Sequence, residues 1–153
     1  ERRPFDRRRV STPLDGKTMP PGISQDLAPA PEGRAEKLRR SPHIPRFLNA
    51  SGVICRPPLV APHAHSREHA IRVIGKDNCY IIYLNPPMEV CIQRDPSGLY
   101  AAAEGTESSN IPGLSFPYSV PEVVHLELDT EALSANECLE KVLRLMREKE
   151  IIQ

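Results

Sequence analysis

The run that decides the fold is Pro86–Tyr100, with the sequence P-P-M-E-V-C-I-Q-R-D-P-S-G-L-Y. It follows a continuous apolar run at Cys79–Leu84, which has the length and composition of a buried parallel strand. Pro87 suits the first turn of a helix, because an amide hydrogen at that position would have no partner within the helix, and we expect this helix to reach Gln93. Pro86–Tyr100 therefore predicts a strand end, a short helix and an exposed loop.

Towards the C-terminus the signals for regular structure are clear. Val123–Leu128 alternates apolar and polar residues and predicts the last strand. Ser134 and Glu137 form a capping box that should open a helix running to Lys149. Residues 104–121 show no pattern of helix or strand, and a loop of that length in a compact domain is typically a lid or a disordered segment. We therefore expect a lid-like loop there.

Towards the N-terminus proline interrupts most elements, because it lacks the amide donor and does not fit helix interiors. The predicted elements are a strand at Val10–Asp15 limited by Pro13, a helix at Glu32–Arg40 ended by Pro42 and Pro45 before Phe47 and Leu48, a damaged strand at Val53–Val60, and a helix at Arg67–Ile74 capped by Ser66. Alternating strands and helices predict an α/β fold with a parallel sheet. We expect a single domain over residues 1–153, in which residues 1–13 form a basic segment.

Composition narrows the classes of function. The chain has 20 Lys or Arg and 20 Asp or Glu, and basic residues exceed acidic ones only up to Arg46. This basic part is either a solvated surface or a phosphate or nucleic-acid patch. Trp is absent, which disfavours stacking of bases on an aromatic platform. No apolar run has the length of a membrane span, and no signal-peptide pattern opens the chain. We expect a cytoplasmic protein that binds neither nucleic acid nor membrane.

Cysteine and histidine are the residues that would indicate a metal site. The four cysteines are far apart in sequence and form no C-x-x-C pair, which predicts reduced thiols rather than disulfides or zinc ligands. His63, His65 and His69 form an H-x-H-x3-H pattern. They are either exposed loop histidines or zinc ligands, and no further ligand completes a recognisable zinc site.

Pro86–Tyr100 resembles the corresponding run of the adenylylsulfate kinases, which has the form T-P-L-E-V-C-E-Q-R-D-x-K-G-L-Y-K-K-A. The resemblance extends from Leu14 to about Ile151. It rests on Leu14–Gly16 for L-D-G, Gly22–Leu27 for G-L-N-x-D-L, Arg34–Arg40 for R-x-E-N-I-R-R, Val60–Pro62 for I-S-P, Asn110–Tyr118 for x-F-T-G-I-D-D-P-Y, and Leu128–Thr130 for L-D-T. Many matches in the same order make the resemblance specific.

The resemblance implies a three-layer P-loop nucleotide kinase fold. It also implies transfer of the γ-phosphoryl group of ATP to the 3′-hydroxyl of adenylylsulfate with Mg²⁺, in sulfate activation. Asp15 would then be the catalytic base or the group that organises magnesium. The substrate-binding residues implied are Arg34, Lys37, Val60, Leu99, Ile111 and Gly113. The implied partners are adenylylsulfate or a related adenine nucleotide, a second copy in a homodimer, and a fused or associated sulfurylase domain.

Several positions depart from the family pattern. Ser97 stands where the family has a substrate-binding lysine, and the other departures are Ala101 and Ala102 for basic residues, Lys17 for a carboxylate, Pro20 for arginine, Ala61 for serine, Lys37 for asparagine, and Pro29 and Ile111 for the phenylalanines that pack on adenine. The 153 residues contain no G-x-x-x-x-G-K-[ST] run, so we expect a domain truncated at its N-terminus or one that has lost that loop. Each lost charge-assisted contact costs about 1.5–3 kcal/mol of binding. The departures predict an inactive or weak kinase as this chain alone; the alternative is a non-catalytic nucleotide-binding, regulatory or assembly module.

Overall fold

The structure is a computed structural model, and it describes residues 10–15, 21–28, 30–103 and 111–153. The expectations for Lys17, Pro20 and Pro29, and for most of the basic segment 1–13, lie outside the described residues. The described residues belong to two compact units. One extends to Tyr80 and includes Ile152–Gln153, and the other is Ile81–Ile151.

The sheet of the first unit has two parallel strands, β1 (Ser11–Pro13) and β2 (Ile54–Arg56). The ladder extends past β1, because the amide of Leu14 donates to the carbonyl of Arg56 at 3.0 Å. Pro13 can end β1, since a residue without an amide hydrogen is tolerated at a sheet edge. The proline-interrupted strand expected at Val53–Val60 is therefore present, but it covers only the three residues of β2.

The helices α1 (Pro31–Arg40) and α2 (His43–Ala50) follow one another closely. Pro42 separates them, as predicted, but the prediction that Pro45 ends helical structure is wrong. Pro45 is buried at the third position of α2, where the first turn requires no intrahelical amide donor. Proline at this position is therefore compatible with the helix.

Helix α3 (Ala64–Ile74) begins earlier than the sequence predicts. Its N-cap is His63, which is extended after Pro62 and accepts the amide of Ser66 through its backbone carbonyl at 3.1 Å. The prediction of Ser66 as the cap is therefore wrong, because Ser66 already lies in the first turn. Helix α3 packs against both α1 and α2.

The second unit contains a second parallel pair, β3 (Ile82–Leu84) and β4 (Leu126–Leu128), with Tyr83 opposite Glu127. The prediction of a buried strand at β3 is wrong, since Ile82 is 38 % exposed and Leu84 58 % exposed. Alternate residues share a face of a strand, so these two point to the same open side. The parallel α/β character is confirmed.

Three helices complete the second unit: α4 (Met88–Arg94), α5 (Leu99–Ala103) and α6 (Ala135–Glu148). The predicted capping box of α6 is confirmed, because the amide of Glu137 donates to Ser134 Oγ at 3.3 Å and Glu137 Oε2 accepts the amide of Ser134 at 2.8 Å. Helix α6 packs on β4, and the most buried side chains are Leu128 and Leu143. These two side chains are part of the buried apolar core of this unit.

Candidate functional site

Two predicted site residues follow the parallel strands of the first unit. Asp15, which is half-buried, lies two residues after β1, and Val60 lies four residues after β2 and is 63 % exposed. Because β1 and β2 are parallel, both segments leave the sheet at the same edge. In open α/β sheets, ligands bind beyond the carboxyl ends of the strands. The structure thus places Asp15 and Val60 at the edge where a ligand is expected.

The other two predicted residues of this unit lie on α1. Arg34 is exposed and Lys37 is half-buried. Their spacing of three residues places them on neighbouring positions of one helix face. The structure therefore keeps Arg34 and Lys37 together as a pair of cations on one helix.

A network of charges that the sequence analysis missed holds α1 against the turn before it. The guanidinium of Arg40 donates to both carboxylate oxygens of Asp26, at 2.7 and 2.8 Å, and to the carbonyl of Ile23 at 3.1 Å. It also donates to Glu36 Oε1 at 2.8 Å, and Glu36 is bound by Arg39 at 2.6 and 2.7 Å. We call Ile23, Asp26, Glu36, Arg39 and Arg40 the Arg40 clamp. Two parallel hydrogen bonds to one carboxylate require the planar fork of arginine.

The clamp changes the acidity of its carboxylates. Hydrogen bonds from Arg39 and then Arg40 lower the pKa of Glu36 to about 2, and the hydrogen bond from Arg40 is the main reason that the pKa of Asp26 is lowered. Both shifts show that the charged carboxylates are the forms that this arrangement stabilises. The clamp thus fixes the turn at Pro21–Ile23 relative to the helix that carries Arg34 and Lys37.

The Arg40 clamp should make thermal stability depend on pH in the acid range. The folded-state pKa of Glu36 is about 2, below its ordinary value of 4.5. The stabilisation is therefore complete above the ordinary value and is lost as pH falls towards the folded-state pKa. The melting temperature of the wild type should exceed that of Glu36→Gln at pH 6. This difference in melting temperature should shrink as the pH falls from 4.5 to about 2, the ordinary and the folded-state pKa of Glu36. A difference independent of pH in matched thermal scans would contradict this account.

The loop around Ser97 in the second unit is held by its neighbours rather than by Ser97 itself. The carboxylate of Asp95 accepts three backbone amides at the start of α5, from Leu99 at 2.7 Å, Tyr100 at 2.9 Å and Ala101 at 3.1 Å. Arg94 donates to the carbonyl of Thr130 at 2.9 Å, beyond the end of β4. Ser97 is exposed in the turn between α4 and α5. The shape of this turn therefore does not require lysine at position 97.

The segment that begins at Ile111 forms a compact turn. Ile111 is buried, and its carbonyl accepts the amide of Ser115 at 2.8 Å. Gly113 has φ 86°, a conformation that favours glycine, and a Cβ at this position would lie 2.5 Å from Met88 Cε, the flexible end of a side chain on α4. Part of the predicted lid-like loop is thus ordered structure packed on α4, and residues 104–110 lie outside the described residues.

Two tyrosine rings continue the packing of this segment onto β3. Tyr118 stacks on Tyr83 with ring centroids 6.2 Å apart and planes inclined by 7°. The hydroxyl of Tyr83 donates to Asn85 Oδ1 at 2.9 Å, and Asn85 Nδ2 donates to Glu127 at 2.8 Å.

The predicted substrate residue Leu99 is 55 % exposed at the start of α5. Leu99, Ile111 and Gly113 therefore all belong to the second unit, whereas Asp15, Arg34, Lys37 and Val60 belong to the first.

The structure does not place His63, His65 and His69 as one group of metal ligands. The rings of His63 and His65 stack on each other at 5.4 Å, whereas His69 Nε2 lies 3.1 Å from the carbonyl of Arg39. Within residues 10–15, 21–28, 30–103 and 111–153, no three His, Cys, Asp or Glu side chains are placed to hold a metal ion.

The four cysteines are free thiols, and burial raises the pKa of Cys55 and Cys79. None of the described helices is both long and apolar enough to cross a membrane.

Comparison with known proteins identifies the group of proteins that this chain resembles. The family model described as Adenylylsulphate kinase matches residues 1–129. The chain is 37 % identical over its whole length to the bifunctional enzyme CysN/CysC of Rhodopirellula baltica, of which it spans 24 %. It is 35 % identical over 136 residues to the adenylyl-sulfate kinase of Bacteroides thetaiotaomicron, covering 89 % of this chain and 68 % of that enzyme. The chain thus spans about a quarter of one relative and about two thirds of the other.

Solved structures give the same result for the fold. The APS kinase CysC of Mycobacterium tuberculosis, in complex with AMPPNP and APS, superposes with a TM-score of 0.85 and 30 % sequence identity, over 96 % of this chain and 86 % of that chain. The hexameric APS kinase from Thiobacillus denitrificans matches with a TM-score of 0.65 at 18 % identity, over 95 % of this chain and 24 % of that chain, and supports the fold alone. The predicted P-loop kinase-type α/β fold is therefore confirmed. By its family match over residues 1–129 and its 35 % identity to the adenylyl-sulfate kinase of Bacteroides thetaiotaomicron, the chain belongs to the adenylylsulfate kinase family.

Proposed function

We propose that this chain is a kinase-type domain of sulfate activation that binds adenylylsulfate but transfers phosphate slowly or not at all as the 153-residue polypeptide. The observation that carries the proposal is the Ser97 loop. Asp95 accepts three backbone amides and Arg94 donates to the carbonyl of Thr130, whereas Ser97 and Ala101 supply no positive charge to this loop. The loop therefore keeps its backbone geometry but lacks the positive charge that the family pattern has at these positions.

The binding half of the proposal rests on the first unit. Asp15 and Val60 lie at the carboxyl edge of β1 and β2, and Arg34 and Lys37 supply two cations on α1. A phosphosulfate carries negative charge, which cations of this kind attract. The structural neighbour from Mycobacterium tuberculosis is a complex with AMPPNP and APS, which supports adenine nucleotides as the ligand class here.

ATP and magnesium are the expected co-substrate and metal, because the family uses them. Mg²⁺ is typically bound through one or two carboxylates, with phosphate oxygens and water completing its shell. The half-buried carboxylate of Asp15 at the strand edge fits that requirement. When bound, the ion would neutralise charge developing on the transferred phosphoryl group. We assign Asp15 to organising magnesium or accepting the proton of the substrate hydroxyl.

A second candidate is a non-catalytic regulatory or assembly module. The observation that favours it is the similarity to bifunctional enzymes, since the chain matches 24 % of CysN/CysC and 23 % of the bifunctional enzyme NodQ of Azospirillum brasilense. In such proteins a domain of this size adjoins another in the same polypeptide. The departures at Ala61, Ser97 and Ile111 are compatible with a domain whose selected role is assembly.

Isothermal titration calorimetry with adenylylsulfate separates the two candidates. We expect saturable binding that is about 100- to 10,000-fold weaker than that of the Bacteroides thetaiotaomicron kinase, because two charge-assisted contacts worth about 1.5–3 kcal/mol each are missing. Adenosine 5′-monophosphate, which lacks the sulfate, is the control and should bind more weakly still. Absence of heat with adenylylsulfate, ATP and their mixture would contradict nucleotide binding and would favour the assembly module.

A further inference from the structure

The backbone of Ala61 adopts a conformation that residues with a Cβ rarely occupy. Its φ is 38°, on the left-handed side of the Ramachandran map. Ala61 lies between Val60 and the buried Pro62, in the segment that leaves the carboxyl end of β2. Strain of this kind persists only where surrounding groups hold it, and it is concentrated at functional sites. Some group must therefore hold the backbone at Ala61.

Arg67 is that group. Its Nη1 donates a hydrogen bond of 2.7 Å to the carbonyl of Ala61, and the residue is only 9 % exposed although it is a cation. Burial of a guanidinium is costly unless it makes hydrogen bonds or ion pairs, so Arg67 at this depth indicates a specific role. The sequence analysis included Arg67 in a helix but assigned it no role.

Helix α3, which carries Arg67, is fixed to both neighbouring helices of the unit. His69 Nε2 lies 3.1 Å from the carbonyl of Arg39 at the end of α1, and Arg46 on α2 donates to the carbonyl of Val73 at 3.2 Å. These two contacts lie at the middle and near the C-terminal end of α3. Arg67 therefore reaches the strained turn from a rigid base, which is what positioning a backbone carbonyl requires.

We propose that Arg67 is a positioning residue that holds the Val60–Pro62 turn in its strained form and thereby presents this backbone, beside Asp15, to adenylylsulfate. The proposal rests on the proposed function for the identity of the ligand. Without the hydrogen bond from Arg67, the turn would relax towards ordinary negative φ at Ala61, and Val60 would move away from the carboxyl edge of β1 and β2. Arg67 itself is not assigned to contact the ligand.

The test uses Arg67→Met, with Arg72→Met as the matched control, because Arg72 is an exposed arginine on the same helix. The first readout is the backbone ¹³C chemical shifts of Ala61, which report its φ and the hydrogen bond to its carbonyl. The second readout is the dissociation constant for adenylylsulfate, measured by calorimetry at a temperature where circular dichroism shows the variant folded. We expect the Ala61 shifts to move towards extended values and binding to weaken about tenfold in Arg67→Met, an effect of the size of one lost charge-assisted hydrogen bond. Arg72→Met should change neither.

Unchanged Ala61 shifts in Arg67→Met would overturn the proposal, and changed shifts with unchanged affinity would overturn its functional half. If the wild type does not bind adenylylsulfate, the proposed function fails, whereas the chemical shifts still decide whether Arg67 holds the turn. A second variant, Ala61→Gly, removes the conformational constraint while leaving the buried arginine in place, so it remains informative if Arg67→Met does not fold. Affinity equal to or above that of the wild type is the expected result in folded Ala61→Gly, since glycine adopts positive φ without strain, and a loss of affinity would count against the positive-φ turn as the form that binds.

Discussion

Replacing Ser97 by lysine should strengthen binding of adenylylsulfate by about 10- to 100-fold, because one charge-assisted contact contributes about 1.5–3 kcal/mol and each 1.4 kcal/mol is a factor of ten. The turn that carries Ser97 can accept the change, since Asp95 caps α5 through three backbone amides and Ser97 is exposed. The added charge would lie in a loop that is already formed. The measurement is calorimetric titration of adenylylsulfate into Ser97→Lys and wild type.

Two controls separate a local contact from a change in net charge. Ser97→Gln lengthens the side chain without charge and should leave the affinity nearly unchanged. Ala132→Lys adds the same charge at another exposed position, in the turn before α6, and should also have little effect. Equal gains from Ser97→Lys and Ala132→Lys would show general electrostatic attraction rather than a site at position 97.

Replacing Leu143 by alanine should lower the free energy of unfolding by about 2–5 kcal/mol, the cost of truncating a fully buried leucine. Leu143 is 1 % exposed on α6, which packs on β4 where Leu128 is 2 % exposed. The removed atoms leave a cavity that a capped helix and a strand cannot readily close. Urea denaturation followed by circular dichroism measures the loss.

Leu114→Ala is the matched control for this truncation, since Leu114 belongs to the same unit and is 51 % exposed. It should cost less than about 0.5 kcal/mol, as do most surface substitutions. Similar losses for the two variants would contradict the location of the core between α6 and β4. The comparison is independent of any ligand, so it tests the fold separately from the function.

Features that depend on neighbours in sequence were predicted in part, since the cap expected at Ser66 is at His63 instead. The capping box at Ser134 and Glu137 is confirmed because both partners lie within one helical turn. The break at Pro42 is also confirmed, whereas Pro45 was misjudged because the restriction on proline does not apply to a helix's first turn. A rule of this kind succeeds where all the residues that it depends on lie within a few positions of one another.

Features that depend on distant residues were not predictable from the sequence. The apolar run that ends at Leu84 gives a strand, but it does not show which face another layer covers, so its burial was predicted wrongly. Arg40 and Asp26 are separated by 14 residues, and neither the turn nor the helix alone indicates that they meet. Arg67 is one of many arginines until the backbone of Ala61 shows what it holds. The roles of the site residues implied by the family resemblance stay predictions.

The matches to the family and the departures from it have different physical meanings. Asp26, Glu36 and Arg40 match the family pattern and hold α1 to the preceding turn, and Asp95 matches and caps α5. These residues maintain backbone geometry. The departures at Ser97, Ala101 and Ala102 lie at exposed positions, and under the proposed function these are side chains that would meet an anionic ligand. Retained scaffold and lost charge together account for the proposal of a binding domain with little catalysis.

The most direct measurement is a coupled assay of phosphoryl transfer with ATP, Mg²⁺ and adenylylsulfate, run beside the Bacteroides thetaiotaomicron kinase. We predict a kcat/KM at least about 100-fold below that of the relative, since two weakened charge-assisted contacts remove about 3 kcal/mol or more of transition-state stabilisation. Ser97→Lys should recover part of the loss. Turnover equal to that of the relative, abolished by Asp15→Ala, would contradict the account.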